Sequence, residues 1–136
     1  MSDLHTNLTL QSNPDNVSQV EPFVHDLAQR YNLSPDLHGN ILVSLTEAVT
    51  NAMLHGNRGD CSKHVSISMR RQKGALAIQV SDEGPGFDPG CVPDPTCPDL
   101  LEKCGGRGLF LMRNLSDSCR FIRNGSTVEM RFKLGE

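Results

Sequence analysis

The chain has 136 residues, of which 37% are hydrophobic and 21% charged, a length and balance that suit one domain with one core. Thirteen Lys and Arg against sixteen Asp and Glu leave a net charge of −3, which argues against nucleic acid as the main partner, because phosphate binding calls for a basic face. No apolar run approaches the ~20 residues of a membrane-spanning helix, and the opening Met1–Thr6 lacks the basic and apolar blocks of a signal peptide; a soluble, cytoplasmic protein is expected.

The pattern along the chain begins with Leu4, Thr6, Leu8 and Leu10 alternating with polar residues, a half-buried strand. Ser12 to Asn16 break it, and Val17, Val20, Val24, Leu27 and Tyr31 then recur at helical spacing. A helix is expected from about Asp15 to Tyr31, with a kink or a later start near Pro22. The next helix has Ser34 as N-cap, Pro35 at its first position and Asp36 at the positive end of its dipole. Its apolar stripe is Leu37, Ile41, Leu45, Ala48, Val49 and Ala52, and Gly56 is placed to end it.

Beyond Gly56 the period changes to two. Val65, Ile67 and Met69, then Leu76, Ile78 and Val80, flank Lys73-Gly74 and predict a hairpin. Residues 82–106 read as loop and hold five of the eight prolines. Leu109, Phe110, Met112 and Leu115 suggest a short helix. Cys119–Arg123 and Thr127–Leu134 read as strands joined by the hairpin dipeptide Asn124-Gly125. Consecutive strands with grouped helices imply an α+β sandwich: a mixed, mostly antiparallel sheet with about three helices on one face.

The five cysteines, Cys61, Cys91, Cys97, Cys104 and Cys119, are odd in number and form no Cys-x-x-Cys pair, so reduced thiols rather than disulfides or zinc are expected.

Three polar features do not belong to a core. Asn40, Ser44, Glu47, Asn51 and His55 line one face of the second helix. Such a row is ordinarily a solvated face, but this one is short-chained and amide-rich, without the Glu–Lys pairs of a solvated helix. Glu47 and Asn51, one turn apart, could touch a single ligand or ion, and their oxygens suit magnesium. His55 reads as a capping or buried histidine. Second, Asp82-Glu83-Gly84-Pro85-Gly86 follows a strand directly. A lone Gly-x-Gly is commonly just a turn, but the carboxylate before it could accept from an exocyclic amine while the glycines admit a flat ring. Third, Gly105-Gly106-Arg107-Gly108 opens a helix, where free N–H groups favour phosphate. The loop matches neither the Walker nor the Rossmann pattern.

In this order the three features resemble the nucleotide site of the GHKL, or Bergerat-fold, ATPases. Glu47 to Asn57 resembles the N-box, Asp82 to Gly86 the first glycine box, and Gly105 to Leu109 the second. The small size, with Gly86-Phe87-Asp88-Pro89 and Arg107 to Met112, is most similar to the bacterial anti-sigma factor serine kinases. That resemblance implies a two-layer Bergerat fold over residues 1–136 as a single domain, with an ATP lid at about 87–104. It also implies ATP and Mg2+ as cofactors, a kinase acting on a serine of an anti-sigma factor antagonist, a sigma factor held inactive, and a homodimer. Carried over by position, Glu47 is the general base and Asn51 the magnesium ligand. Asp82 takes the adenine amino group, Gly84 and Gly86 shape the adenine pocket, Gly106 and Gly108 hold phosphates, and Thr127 sits by the base. Arg107 departs from the small residue usual in the wider superfamily and either meets a phosphate or faces solvent. The lid carries a net −3, suited to a basic partner. The alternative is a nucleotide-responsive module that captures a partner without transferring phosphate.

Overall fold

The structure is a computed structural model, and it describes residues 5–84 and 108–134. Strand β1 (His5–Gln11) opens the chain, and β2 (His64–Gln72), β3 (Ala75–Ser81), β4 (Ser118–Ile122) and β5 (Thr127–Lys133) complete a five-stranded sheet in the order β1-β2-β3-β5-β4. All four pairings are antiparallel. Three helices accompany it: α1 (Val20–Arg30), α2 (Pro35–Asn51) and α3 (108–115). The expected α+β architecture is present, and no strand pair among the described residues is parallel.

The alternation seen in the strands builds the core. Val65, Ile67 and Met69 of β2, Leu76, Ile78 and Val80 of β3, and Val128, Met130 and Phe132 of β5 are buried on the face that meets the helices. Against them pack Val20, Val24 and Leu27 of α1 and Ile41, Leu45, Ala48 and Val49 of α2. With 22 buried hydrophobic residues among the described ones shared by every strand and helix, the sheet and helices form one core, as burial of one face of each element requires.

The helix boundaries differ from expectation in two places. The first helix is divided: a 3-10 turn over Pro14–Gln19 precedes α1, and Asn13 caps that turn by accepting from Asp15 N–H at 3.0 Å. Pro22 accordingly falls in the first turn of α1, where its missing N–H has no partner to lose. The second helix keeps its expected start, Ser34 Oγ accepting from Leu37 N–H at 3.2 Å. It stops being α-helical at Asn51 and continues as a π-helical turn over Ala52–Gly56, closed by Asn57 N–H donating to Ala52 C=O at 2.8 Å. Wide turns of this kind shift the side chains after them around the helix axis, so the row read at steps of three and four does not stay on one line to His55.

The β2–β3 turn has positive φ at Lys73 and Gly74 (50° and 77°), the two-residue turn that matches strand twist. The β4–β5 connection is longer than the expected dipeptide: Arg123, Asn124 and Gly125 all have positive φ, and Ser126 completes the loop. Its last carbonyl, on Ser126, accepts from Asp82 N–H at 2.9 Å. The turn thus also fixes the chain leaving β3.

Candidate functional site

Helix α2 does not present a solvated polar face. Ser44 and Asn51 are buried, Glu47 and Asn40 half-buried, and His55 alone is exposed, so of the capping or buried reading of His55 the buried alternative is excluded. At Glu47 and Asn51 the row is met by α3, whose first residue, Gly108, lies against it. A Cβ at Gly108 would come within 2.7 Å of Asn51 Nδ2 and 3.2 Å of Glu47 Oε1. Only glycine lets the backbone approach that closely. The positive end of α3 is thereby brought up to a carboxylate and a carboxamide. Asn51 Nδ2 is buried without a hydrogen-bond partner among the described residues. Because the two ends of a carboxamide are isosteric, the same side chain can present either a donor or an oxygen to that space.

Asp82 stands at the other end of the same region. It and Asn51 line one pocket with Ala48, Ala52, Val80, Met112, Phe121, Ser126 and Val128. The walls are therefore mostly apolar with one carboxylate and one amide among them, a lining that suits a flat heterocycle carrying one polar edge, while the cavity itself, about 10 Å³, is the size of a single water. Asp82 is held from three directions. Its N–H is fixed by Ser126, its Oδ1 accepts from Gly84 N–H at 2.9 Å, and Gly56 packs directly on its carboxyl group. A Cβ on Gly56 would overlap that carboxyl, and one on Gly84 would overlap the Gly56 carbonyl. The two glycines let the end of the π turn and the loop after β3 lie in contact.

The structure brings Glu47, Asn51, Asp82, Gly84 and Gly108 together at the junction of α2, β3 and α3. Gly86, Gly106 and Arg107 lie outside the described residues, as does the expected lid at 87–104. Thr127 is placed elsewhere. Strand alternation turns it to the sheet face opposite the helices, where its Oγ1 pairs with Ser81 Oγ at 2.8 Å. Ser126, one residue earlier, lines the pocket instead. The signal was present in the strand: Val128, Met130 and Phe132 point to the core, so Thr127 must point away. Nothing in the sequence marks Ser126, because its position depends on the loop conformation. Among the described residues, no three His, Cys, Asp or Glu side chains could jointly hold a metal ion. The Asn51 amide oxygen is a donor that fits Mg2+ completed by phosphates and water rather than a zinc cage.

Comparison with known proteins decides the family. Residues 10–132 match the model of the histidine kinase-like ATPase domain. The chain belongs to the histidine kinase-like ATPases, in the family of bacterial anti-sigma factor serine kinases. It is 30% identical over 129 residues to the serine-protein kinase RsbW of Bacillus subtilis, covering 89% of this chain and 79% of that protein. It is 27% identical to RsbW of Listeria monocytogenes, covering 100% of this chain and 92% of the relative. The anti-sigma F factor of Bacillus cereus is 32% identical, with 84% of each chain covered. The fold is shared with a structure of the RsbU and RsbW domains of Rv1364c from Mycobacterium tuberculosis, at a TM-score of 0.69 and 17% identity. That match covers 98% of this chain and 32% of the other. An ATPase domain implies ATP as the nucleotide. No described helix of this kinase-like ATPase is long and apolar enough to cross a membrane.

Proposed function

We propose that the protein is an ATP-dependent protein-serine kinase of a partner-switching pathway, which phosphorylates an anti-sigma factor antagonist and in the alternative complex holds a sigma factor. The observation that carries this reading is the meeting of Glu47 and Asn51 with the α3 entry at Gly108, and the lining of one small apolar pocket by Asn51 together with Asp82. A base, an amide oxygen and a helix terminus suit a triphosphate, and the Asp82 carboxylate suits an amino-substituted ring.

In this reading Asp82 accepts from the adenine amino group, and Gly84 and Gly86 leave room for the ring. Ser126, rather than Thr127, stands beside the base. Gly106, Arg107 and Gly108 hold the phosphates with main-chain N–H groups and one guanidinium. Asn51 would hold Mg2+ through its amide oxygen, and the ion when bound would neutralise phosphate charge. Glu47 takes the proton from the acceptor serine hydroxyl as its oxygen attacks the γ-phosphorus and ADP leaves. By the family resemblance residues 87–104 correspond to the ATP lid, and their net charge of −3 suits a basic partner surface. The kinase acts in the cytoplasm as a homodimer.

The test is incubation of the protein with ATP, Mg2+ and a purified candidate antagonist, followed by mass spectrometry of the antagonist. One phosphoserine, absent with Glu47→Ala, is the expected result. Nucleotide-dependent capture of the partner with ATP left intact would instead make the protein a binding module.

A further inference from the structure

Asn57 lies just past the π turn and is 1% exposed. Buried amides are kept only where their hydrogen bonds are made, and this one makes them to three separate elements. Its Nδ2 donates to Ser12 Oγ at 2.6 Å and to the His64 carbonyl at 3.0 Å, and its Oδ1 accepts from Glu83 N–H at 2.7 Å. The end of β1, the start of β2 and the loop after β3 thus share one side chain. The Glu83 contact bears on the nucleotide pocket, because Glu83 is the residue between Asp82 and Gly84. Glu83 is also held through its carboxylate, which accepts from His64 N–H and lies 3.5 Å from His64 Nδ1. That second link is exposed, with side chains about half accessible (46% and 54%), and is correspondingly weak.

We infer that Asn57 is a positioning residue: by anchoring the Glu83 amide it fixes where the Asp82 carboxylate stands, and so sets the preference for an adenine over a guanine nucleotide. The inference rests on the reading of Asp82 as the acceptor for the base amino group. Guanine carries a carbonyl oxygen where adenine carries its amine. A carboxylate held rigidly there attracts the one and repels the other, and discrimination by a buried polar partner depends on that partner being unable to move aside. Gly56 and Ser126 hold Asp82 from its other sides, but neither bonds to the segment that follows it. Asn57 alone does so from a buried position among the described residues.

The experiment is calorimetric titration of the whole protein with ATP and, separately, GTP, in the wild type and in Asn57→Ala, Ser12→Ala and Asp82→Asn. Asn57→Ala is expected to weaken ATP binding about 10-fold, leave GTP binding nearly unchanged, and so lower the ATP preference by about 10-fold. Ser12→Ala removes the 2.6 Å bond on the side away from the pocket and leaves the Glu83 anchor in place. It is expected to lower the melting temperature while keeping the preference within about twofold, a separation that general loosening of the fold would not produce. Asn57→Ser, too short to reach Glu83 N–H but still polar, is expected to behave like Asn57→Ala and serves if the latter does not fold. Unchanged ATP preference in a folded Asn57 variant, or an equal loss in Ser12→Ala, overturns the inference. If Asp82→Asn itself leaves the preference intact, the reading of Asp82 fails first. If Asp82→Asn abolishes the preference and the Asn57 variants keep it, only the role of Asn57 fails.

Discussion

Two polar clusters lie on opposite faces of the same sheet, and they differ in how they are satisfied. On the face away from the helices, Glu129 has a side chain only 8% exposed. It accepts from Gln79 Nε2 at 2.9 Å and from Arg120 Nε at 2.9 Å, with Arg131 Nε 3.9 Å away. Burial pushes its carboxyl group up, but the hydrogen bonds from Gln79 and Arg120 and the two guanidinium charges outweigh it, and its pKa lies below the ordinary value. This cluster is complete with its own neighbours. On the helix face, Asn51 has a buried Nδ2 with no partner among the described residues, and Gly108 gives up a side chain to lie beside it. Closed networks hold a fold together, whereas a buried polar atom left open beside an apolar pocket is a place for a ligand.

The comparison can be broken most severely at the open cluster. Glu47→Ala is expected to lower phosphotransfer turnover about 10²–10⁴-fold, the usual contribution of a general base, while ATP affinity changes little. Equal loss of affinity in the same titration would show Glu47 to be a binding group. Gly108→Ala would press a methyl group on Asn51 Nδ2 and turn that amide away. An approximately 10–100-fold loss of Mg2+-dependent ATP binding is expected, the range for disturbing the surroundings of a metal ligand. A smaller loss without Mg2+ would distinguish displacement of Asn51 from general damage to the helix entry.

The closed cluster predicts the opposite pattern. Glu129→Gln is expected to cost about 1–3 kcal/mol of stability at neutral pH, as removal of charged hydrogen bonds does, and to leave ATP affinity as it was. Because the folded pKa of Glu129 lies below the unfolded value of 4.5, its stabilisation is present above pH 4.5. It is lost as pH falls through the folded value. Denaturant titrations across that range should show a steeper acid loss in the wild type than in Glu129→Gln, and parallel curves would contradict the assignment. The smallest effect concerns the thiols. Burial raises the Cys119 thiol to about 11, against a lowering by Arg113, whereas Cys61 is exposed. Brief maleimide treatment at pH 7.5 followed by peptide mapping should label Cys61 well before Cys119; comparable labelling would show that β4 opens readily.

Much of this was legible before any coordinates. Period-two alternation marks β2, β3 and β5, and Ser34-Pro35 marks the start of α2, because strand faces and helix caps are local consequences of residue type. The polar row on α2 was visible as a row, but whether it met solvent depended on where α3 returned after more than fifty residues, which no local pattern encodes. The same limit explains Ser126. Its place in the pocket follows from three consecutive positive φ angles before it, while Asn124-Gly125 pointed to a two-residue turn. Thr127 is a different kind of miss, since the alternation of Val128, Met130 and Phe132 already assigned it to the other face. The Glu129 cluster carries no motif, and Asn57, though it ends the stretch that resembles the N-box, carries no sign of its partners. Both owe their partners to strand register and to the π turn, which joins residues 45 apart in the case of Asn57 and Ser12.

The most direct test of the nucleotide site is calorimetric titration of ATP into the protein with and without Mg2+, beside Asp82→Asn. Binding that requires Mg2+ for full strength and weakens by about 1.5–3 kcal/mol in the variant, the range for a hydrogen bond to a charged group, is the expected result. A folded wild type that binds no ATP, or a variant that binds as tightly as the wild type, would contradict it.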